Sequence, residues 1–149
     1  MPNHIFRPGD VGVISRSGTL TYEIVNAITN AGFGETTCIG IGGDPVIGTS
    51  MPEALDLLAK DKATKRIVVV GEIGGTTEEE TAKLAKRIRK PIYAYVAGRT
   101  APTGKRMGHA GAIISKGMGT AESKIKAFEA AGVPVAAYPT EIAALLRRD

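Results

Sequence analysis

Five short runs rich in β-branched residues alternate with five segments of helical periodicity along the whole chain, and this alternation limits the folds open to it. The runs are Val11 to Ser15, Thr36 to Gly40, Arg66 to Gly71, Ile92 to Val96 and Val135 to Tyr138. Their nearly continuous apolar character suits strands covered on both faces, the situation in a parallel sheet with helical crossovers. The spacing predicts helices over Thr19 to Asn30, Met51 to Lys60, Glu78 to Arg89 and Glu122 to Ala131, and a terminal helix from Glu141. Local signals agree: Gly32 and Gly132 close the first and fourth helices, and Ser50-Met51-Pro52-Glu53 reads as a capping box with proline in the first turn. Thr76 or Thr77 caps the third helix, and Lys90-Pro91 breaks it. The expected architecture is an α/β, flavodoxin-like, doubly wound sheet of five parallel strands in the order 2-1-3-4-5, with helices on both faces.

With 149 residues and 43% hydrophobic content, the chain is expected to form a single domain over 1–149. No apolar run approaches the roughly eighteen residues that cross a bilayer, so no membrane partner is expected. The first residues lack a signal peptide's apolar centre, which points to a cytoplasmic chain, or to the mitochondrial matrix in a eukaryote. The single cysteine, Cys38, falls in the second strand and reads as core. Two histidines do not furnish a dedicated metal cage, so no metal site is expected. The net charge of +4 is densest at Lys83 to Lys90, behind three glutamates on the third helix, where acid first and base last suit the helix dipole. That pattern describes a solvated helix face, and without aromatic platforms no nucleic-acid partner is expected. His4 lies in a tail with no assigned role, and the tyrosines and phenylalanines read mostly as packing residues.

Ligands of such sheets bind outside the carboxyl ends of the strands. Those ends lead into Ser15-Arg16-Ser17-Gly18-Thr19, Gly40-Ile41-Gly42-Gly43-Asp44-Pro45, Gly71-Glu72-Ile73-Gly74-Gly75 and a stretch from about Ala97 to Ala121. The last is far longer than the roughly two to six residues of an ordinary strand-to-helix connection, and reads as a working loop. Within it, Gly104-Lys-Arg-Met-Gly-His109-Ala-Gly-Ala112 surrounds an imidazole with small residues that leave it reachable. Ser17, Gly18 and Thr19 open a helix whose free N–H groups form an anion cradle, or else an ordinary helix cap. Glu72 ends an apolar strand, where it either accepts a hydrogen bond from one ring nitrogen of His109 or caps the following turn. Were the electrophile a phosphoryl group, His109 would take the phosphorus while the Ser17 terminus held its oxygens. Arg16, Lys105 and Arg106 are candidate supports or surface contacts, and Asp44 reads as a turn residue rather than an acid.

These motifs, Ser15-Arg-Ser-Gly-Thr-Leu-Thr-Tyr-Glu, Gly40-Ile-Gly-Gly-Asp-Pro, Gly71-Glu-Ile-Gly-Gly and Gly-Lys-Arg-Met-Gly-His109-Ala-Gly-Ala-Ile, closely resemble the alpha subunits of succinyl-CoA synthetases, in their C-terminal ligase half. The resemblance covers essentially the whole chain. It implies that His109 is the phosphorylated histidine, Glu72 its partner, and Ser17, Gly18 and Thr19 part of the phosphate-holding helix terminus. It further implies reversible conversion of succinate, CoA and ATP or GTP into succinyl-CoA, the diphosphate and phosphate, through succinyl phosphate and phosphohistidine. CoA, ATP or GTP and magnesium would then belong to the full complex, with none bound by this domain alone. A beta subunit with an ATP-grasp domain would be the partner, and the family's CoA-binding domain would be supplied elsewhere, leaving the isolated chain incomplete. Malate-CoA ligases and ATP-citrate lyases share this histidine domain. From other classes stand an FMN-binding flavodoxin-like module and a docking module without catalysis. A receiver domain does not fit, because its acids would occupy the loop that here reads Ser15-Arg16-Ser17.

Overall fold

A computed structural model describes residues 2–115 and 117–148. The strands are β1 (Pro8–Ser15), β2 (Glu35–Gly40), β3 (Arg66–Glu72), β4 (Ile92–Ala97) and β5 (Val135–Ala136), all parallel and in the order β2-β1-β3-β4-β5. Between and after them run α1 (Gly18–Asn30), α2 (Met51–Lys60), α3 (Thr77–Ala85), α4 (Ala121–Ala130) and α5 (Ile142–Leu146). The expected topology is the observed one.

The period-2 alternation of the central strands divides the core. Val11, Val13, Val68, Val70 and Tyr93 pack with Ile24, Val25 and Ile28 of α1 and with α5, whereas Ile14, Ile67, Val69, Ala94 and Val96 pack with α2, α3 and α4. β3 lies in the middle and is buried from Ile67 to its last residue, while β2 is an edge strand and only partly covered. Register sets the strand ends level: Ser15 pairs with Gly40 on one side and Val70 on the other, and Glu72 pairs with Ala97. The segments leaving β1, β2, β3 and β4 therefore share one rim.

Several boundaries differ from those read in the sequence, each for a local reason. α3 stops at Ala85 rather than Arg89, because the N–H groups of Arg87 and Ile88 bond three residues back, to Leu84 and Ala85, and tighten the chain out of the α-helix. Part of the basic cluster thus leaves the helix, and Lys90 reaches the carbonyls of Leu58 and Asp61 at the end of α2, a C-terminal cap supplied in trans. Thr76 stands at the N-cap of α3 but does not cap it, since its hydroxyl donates to Glu80. Ser50 and Glu53 form the capping box in full. β5 pairs at only two positions and Tyr138 is 68% exposed, because Pro139 opens a 3-10 turn that precedes α5. Of the other aromatics, Tyr93 and Phe128 are buried and the rest are partly buried.

Cys38 is half-buried in β2, and burial, with the nearby Glu35 charge, pushes its thiol up to about 12. Glu35 itself is buried at the start of that strand, where its carboxylate accepts from the Arg7 N–H (3.2 Å) and the Thr29 hydroxyl (3.4 Å). Desolvation outweighs those bonds and raises its pKa above the ordinary 4.5. A raised carboxyl in the folded state stabilises the fold while protonated and loses that contribution as pH climbs from the unfolded value through the folded one. Glu35→Gln, which keeps the acceptor for Arg7, is therefore expected to unfold at a higher temperature than the unsubstituted chain at pH 7 to 8. Thermal melts across pH should show that advantage closing as the pH falls below the ordinary 4.5; an advantage that persists there would rule out this cause.

Candidate functional site

Within the long stretch after β4, residues 106–113 form a folded hairpin rather than an open loop. Arg106 and Ile113 form an antiparallel bridge, the Met107 N–H donates to Ala112 O, and the Ala112 N–H donates to His109 O. His109 occupies the tip. Ala112 and Ile114 are buried and anchor the hairpin in the α2/α3/α4 side of the core, and the Gly111 N–H donates to Gly43 O (2.9 Å), which docks the tip on the β2–α2 connection. Small residues at the tip thus serve docking as well as access.

At that tip, His109 Nδ1 lies 2.9 and 2.8 Å from the two carboxylate oxygens of Glu72 at the end of β3. An ionised carboxylate only accepts, so Nδ1 carries the proton. Nε2 is then the ring's lone-pair nitrogen, and it makes no hydrogen bond to any described residue. The imidazole is 39% exposed whereas the Glu72 side chain is 9% exposed, so a buried anion orients a reachable ring. Gly43 is what lets them meet: a Cβ there would run into both the His109 ring and the Glu72 carboxylate.

Arg16, read in the sequence as a candidate phosphoryl support or a surface contact, is buried next to Glu72. Its Nη1 donates to Glu78 Oε1 (2.9 Å), Gly74 O (3.0 Å) and Glu72 O (3.3 Å), and its Nη2 stands 3.5 Å from Glu72 Oε1. Glu78 in turn pairs with Lys124 of α4, which also donates to Gly75 O. Removing one member of such a buried pair leaves an uncompensated charge and typically costs about 3–5 kcal/mol. Neither Glu78 nor Lys124 was singled out from the sequence, where Glu78 passed for a solvated first-turn acid. A signal was present: Ala121, Lys124 and Phe128 form the buried stripe of α4, and Glu78, Thr81, Ala82 and Ala85 that of α3. A charged residue on a core-facing stripe demands a partner.

Ser17 caps α1, its hydroxyl accepting from the Leu20 N–H (3.3 Å), and its own N–H donates to the Ser15 hydroxyl. This leaves the amides of Gly18 and Thr19, both exposed, as the outward donors of the terminus. Ser17 and His109 share the rim without a hydrogen bond between them. Lys105, Arg106 and Asp44 are exposed, and His4 lies in a short 3-10 turn over Asn3–Ile5. Among the described residues no group of three or more His, Cys, Asp or Glu side chains is placed to hold a metal, and no helix is long and apolar enough to cross a membrane.

A model of the CoA-ligase family matches residues 14–134, from the end of β1 through α4, which takes in the turns of the rim. The chain is 58% identical over 146 residues to the alpha 2 subunit of an ADP-forming succinate-CoA ligase of Archaeoglobus fulgidus, covering 98% of this chain and 51% of that one. It is 55% identical over 147 residues to the corresponding alpha subunit of Staphylococcus aureus, covering 98% and 49%. Among solved structures it superposes on ATP citrate lyase of Methanosaeta concilii, determined with (3S)-citryl-CoA, with a TM-score of 0.85 and 33% identity over 95% of this chain and 24% of that one. The chain spans about half the length of the curated relatives it matches.

The packing at the tip is testable by adding one methyl group. Gly43→Ala forces the His109–Glu72 pair apart and is expected to lower stability in chemical denaturation by about 1–3 kcal/mol. Gly18→Ala, with nothing within 4 Å of the new carbon, should leave stability nearly unchanged. Equal losses in the two variants would contradict this geometry.

Proposed function

This chain belongs to the CoA-ligase family, and from that premise we propose that it is the histidine-bearing part of a succinate-CoA ligase alpha subunit, with His109 relaying a phosphoryl group. The observation that carries the reading is the Glu72–Nδ1 pair, which fixes the ring and leaves Nε2 as an unengaged nucleophile at the rim.

The relay balances without a proton transfer. Nε2 attacks the phosphorus of succinyl phosphate, the N–P bond forms, the P–O bond to the acyl group breaks, and succinate leaves as its carboxylate. Nδ1–H stays in place, and the positive charge that grows on the ring faces Glu72. The Gly18 and Thr19 amides at the Ser17-capped terminus of α1 receive the phosphoryl oxygens, aided by the helix dipole. The phosphoryl group then passes from Nε2 to a nucleoside diphosphate, and the reverse sequence runs from the triphosphate. Because Arg16 is already committed to Glu72 and Glu78, it supports the carboxylate rather than the phosphate. Lys105 and Arg106 remain exposed, within reach of a partner or ligand.

The remaining parts of the reaction belong to the rest of the complex: an ATP-grasp beta subunit that holds ATP or GTP with magnesium, and a CoA-binding domain outside this chain. Succinate is favoured as the acyl group because the succinate-CoA ligase relatives are 58% and 55% identical, against 33% for the ATP citrate lyase. A flavin-binding reading has little support. The cleft of about 410 Å³ beside the hairpin has, among the described residues, no aromatic side chain in its lining to stack on a flavin ring.

The test mixes the chain with a succinate-CoA ligase beta subunit, magnesium and ATP or GTP, and follows intact mass. One acid-labile phosphoryl addition is expected, absent in His109→Ala. Glu72→Gln keeps a hydrogen bond but not the charge opposite the cationic ring, and is expected to slow the addition by roughly 10². Beta-subunit binding without any adduct would overturn the relay in favour of a docking role.

A further inference from the structure

We propose that Glu78 and Lys124 are positioning residues for His109, acting through Glu72; this rests on the relay role proposed for His109. Glu78 Oε1 accepts from two directions, the Glu72 backbone N–H (3.1 Å) and Arg16 Nη1 (2.9 Å). One oxygen thus fixes the main chain of Glu72 and the cation that stands against the Glu72 carboxylate. Its other oxygen is taken by the ammonium of Lys124, which also bonds Gly75 O and lies 3.3 Å from Glu79 Oε2. Both Glu78 and Lys124 side chains are 0% exposed.

The charges explain why two cations are needed. Arg16 stands between two buried carboxylates, and its approach to Glu72 Oε1, at 3.5 Å, is looser than its 2.9 Å bond to Glu78. Without Lys124, Glu78 would draw Arg16 away from Glu72, and the carboxylate that orients the imidazole would lose its counter-ion. Lys124 sits on α4, downstream of the His109 hairpin, and its bond to Gly75 O ties that helix to the β3–α3 turn. Gly71 provides the space, since a Cβ there would stand 2.6 Å from Glu78 Cγ.

Stability alone does not account for this arrangement. Buried ion pairs can commonly be exchanged for apolar residues of similar volume without loss of fold. That difference supplies the experiment. Lys124→Met leaves Glu78 to draw Arg16 off Glu72, and Glu78→Leu/Lys124→Met removes the whole pair, and with it the acceptor for the Glu72 N–H, without stranding a buried charge should the single variant fail to fold. Thermal melts check folding. The 15N shifts of the His109 ring at mildly alkaline pH report the tautomer, and site-resolved mass spectrometry measures phosphorylation of His109 by phosphoramidate.

In the unsubstituted chain the ring is expected to show a protonated Nδ1 and a lone-pair Nε2. In the folded variants the two 15N signals should move toward each other as the tautomers mix, and His109 phosphorylation should slow by about ten- to a hundredfold. A folded variant with the original ring signature and rate overturns the positioning role. Ring signals that respond to the variants in a chain that phosphoramidate never modifies at His109 would support the positioning and sink the relay instead.

Discussion

A carboxylate almost wholly out of water at the end of the central strand is the constraint around which the rim is organised. Glu72 is 7% exposed, and an anion so placed needs compensation on every side. His109 meets it from the hairpin, Arg16 from the β1–α1 turn, and Glu78 holds its main chain from α3. Those partners come from two connections and a helix, so the site exists only when β1, β3 and β4 are assembled with α3. The same requirement recruits Lys124 from α4, because Glu78 brings a second buried negative charge that Arg16 alone does not balance.

The parallel sheet supplies the placement. With Ser15 level with Val70 and Glu72 level with Ala97, the turns after β1, β3 and β4 leave at the same height and side chains from each can converge. The hairpin after β4 is long because it must cross the rim to reach the β2–α2 connection. It is anchored by Ala112 and Ile114, sunk in the core, and by the bond from Gly111 to Gly43. A ring oriented in this way keeps one nitrogen for the protein and presents the other on the rim that also carries the outward amides of α1.

The topology was legible in the sequence because β3 carries an almost unbroken run of Ile and Val and β1 has Val11-Gly-Val-Ile near its end, and because Gly32, Ser50 and Gly132 mark helix ends by simple backbone chemistry. The His109–Glu72 pair was legible for a related reason: Glu72 interrupts the apolar strand at its carboxyl end, where a ligand-binding group belongs. The buried Glu78–Lys124 pair was not read, because three successive glutamates at a helix start look like dipole-matched surface charge. Only Glu80 among them is fully exposed. The end of α3 and the shortness of β5 were set by 3-10 tightening at Arg87 and Ile88 and by the turn at Pro139, features that periodicity does not encode. The hairpin's two small bridges were invisible for want of alternation in a glycine-rich segment.

Membership of the CoA-ligase family gives this rim a chemical context, and the geometry adds a regiochemical commitment that a family likeness alone does not make. With Nδ1 committed to Glu72, a phosphoryl group can join the ring only at Nε2 unless the pair is broken. The decisive measurement is therefore the N–P linkage in the phosphorylated chain, read by 31P NMR with correlation to the 15N-labelled ring of His109. A single phosphorus signal coupled to Nε2, with Nδ1 still protonated, is the predicted result. Linkage to Nδ1, or an acid-stable ester on a hydroxyl such as Ser17, would contradict the proposal that Glu72 orients His109 to accept a phosphoryl group.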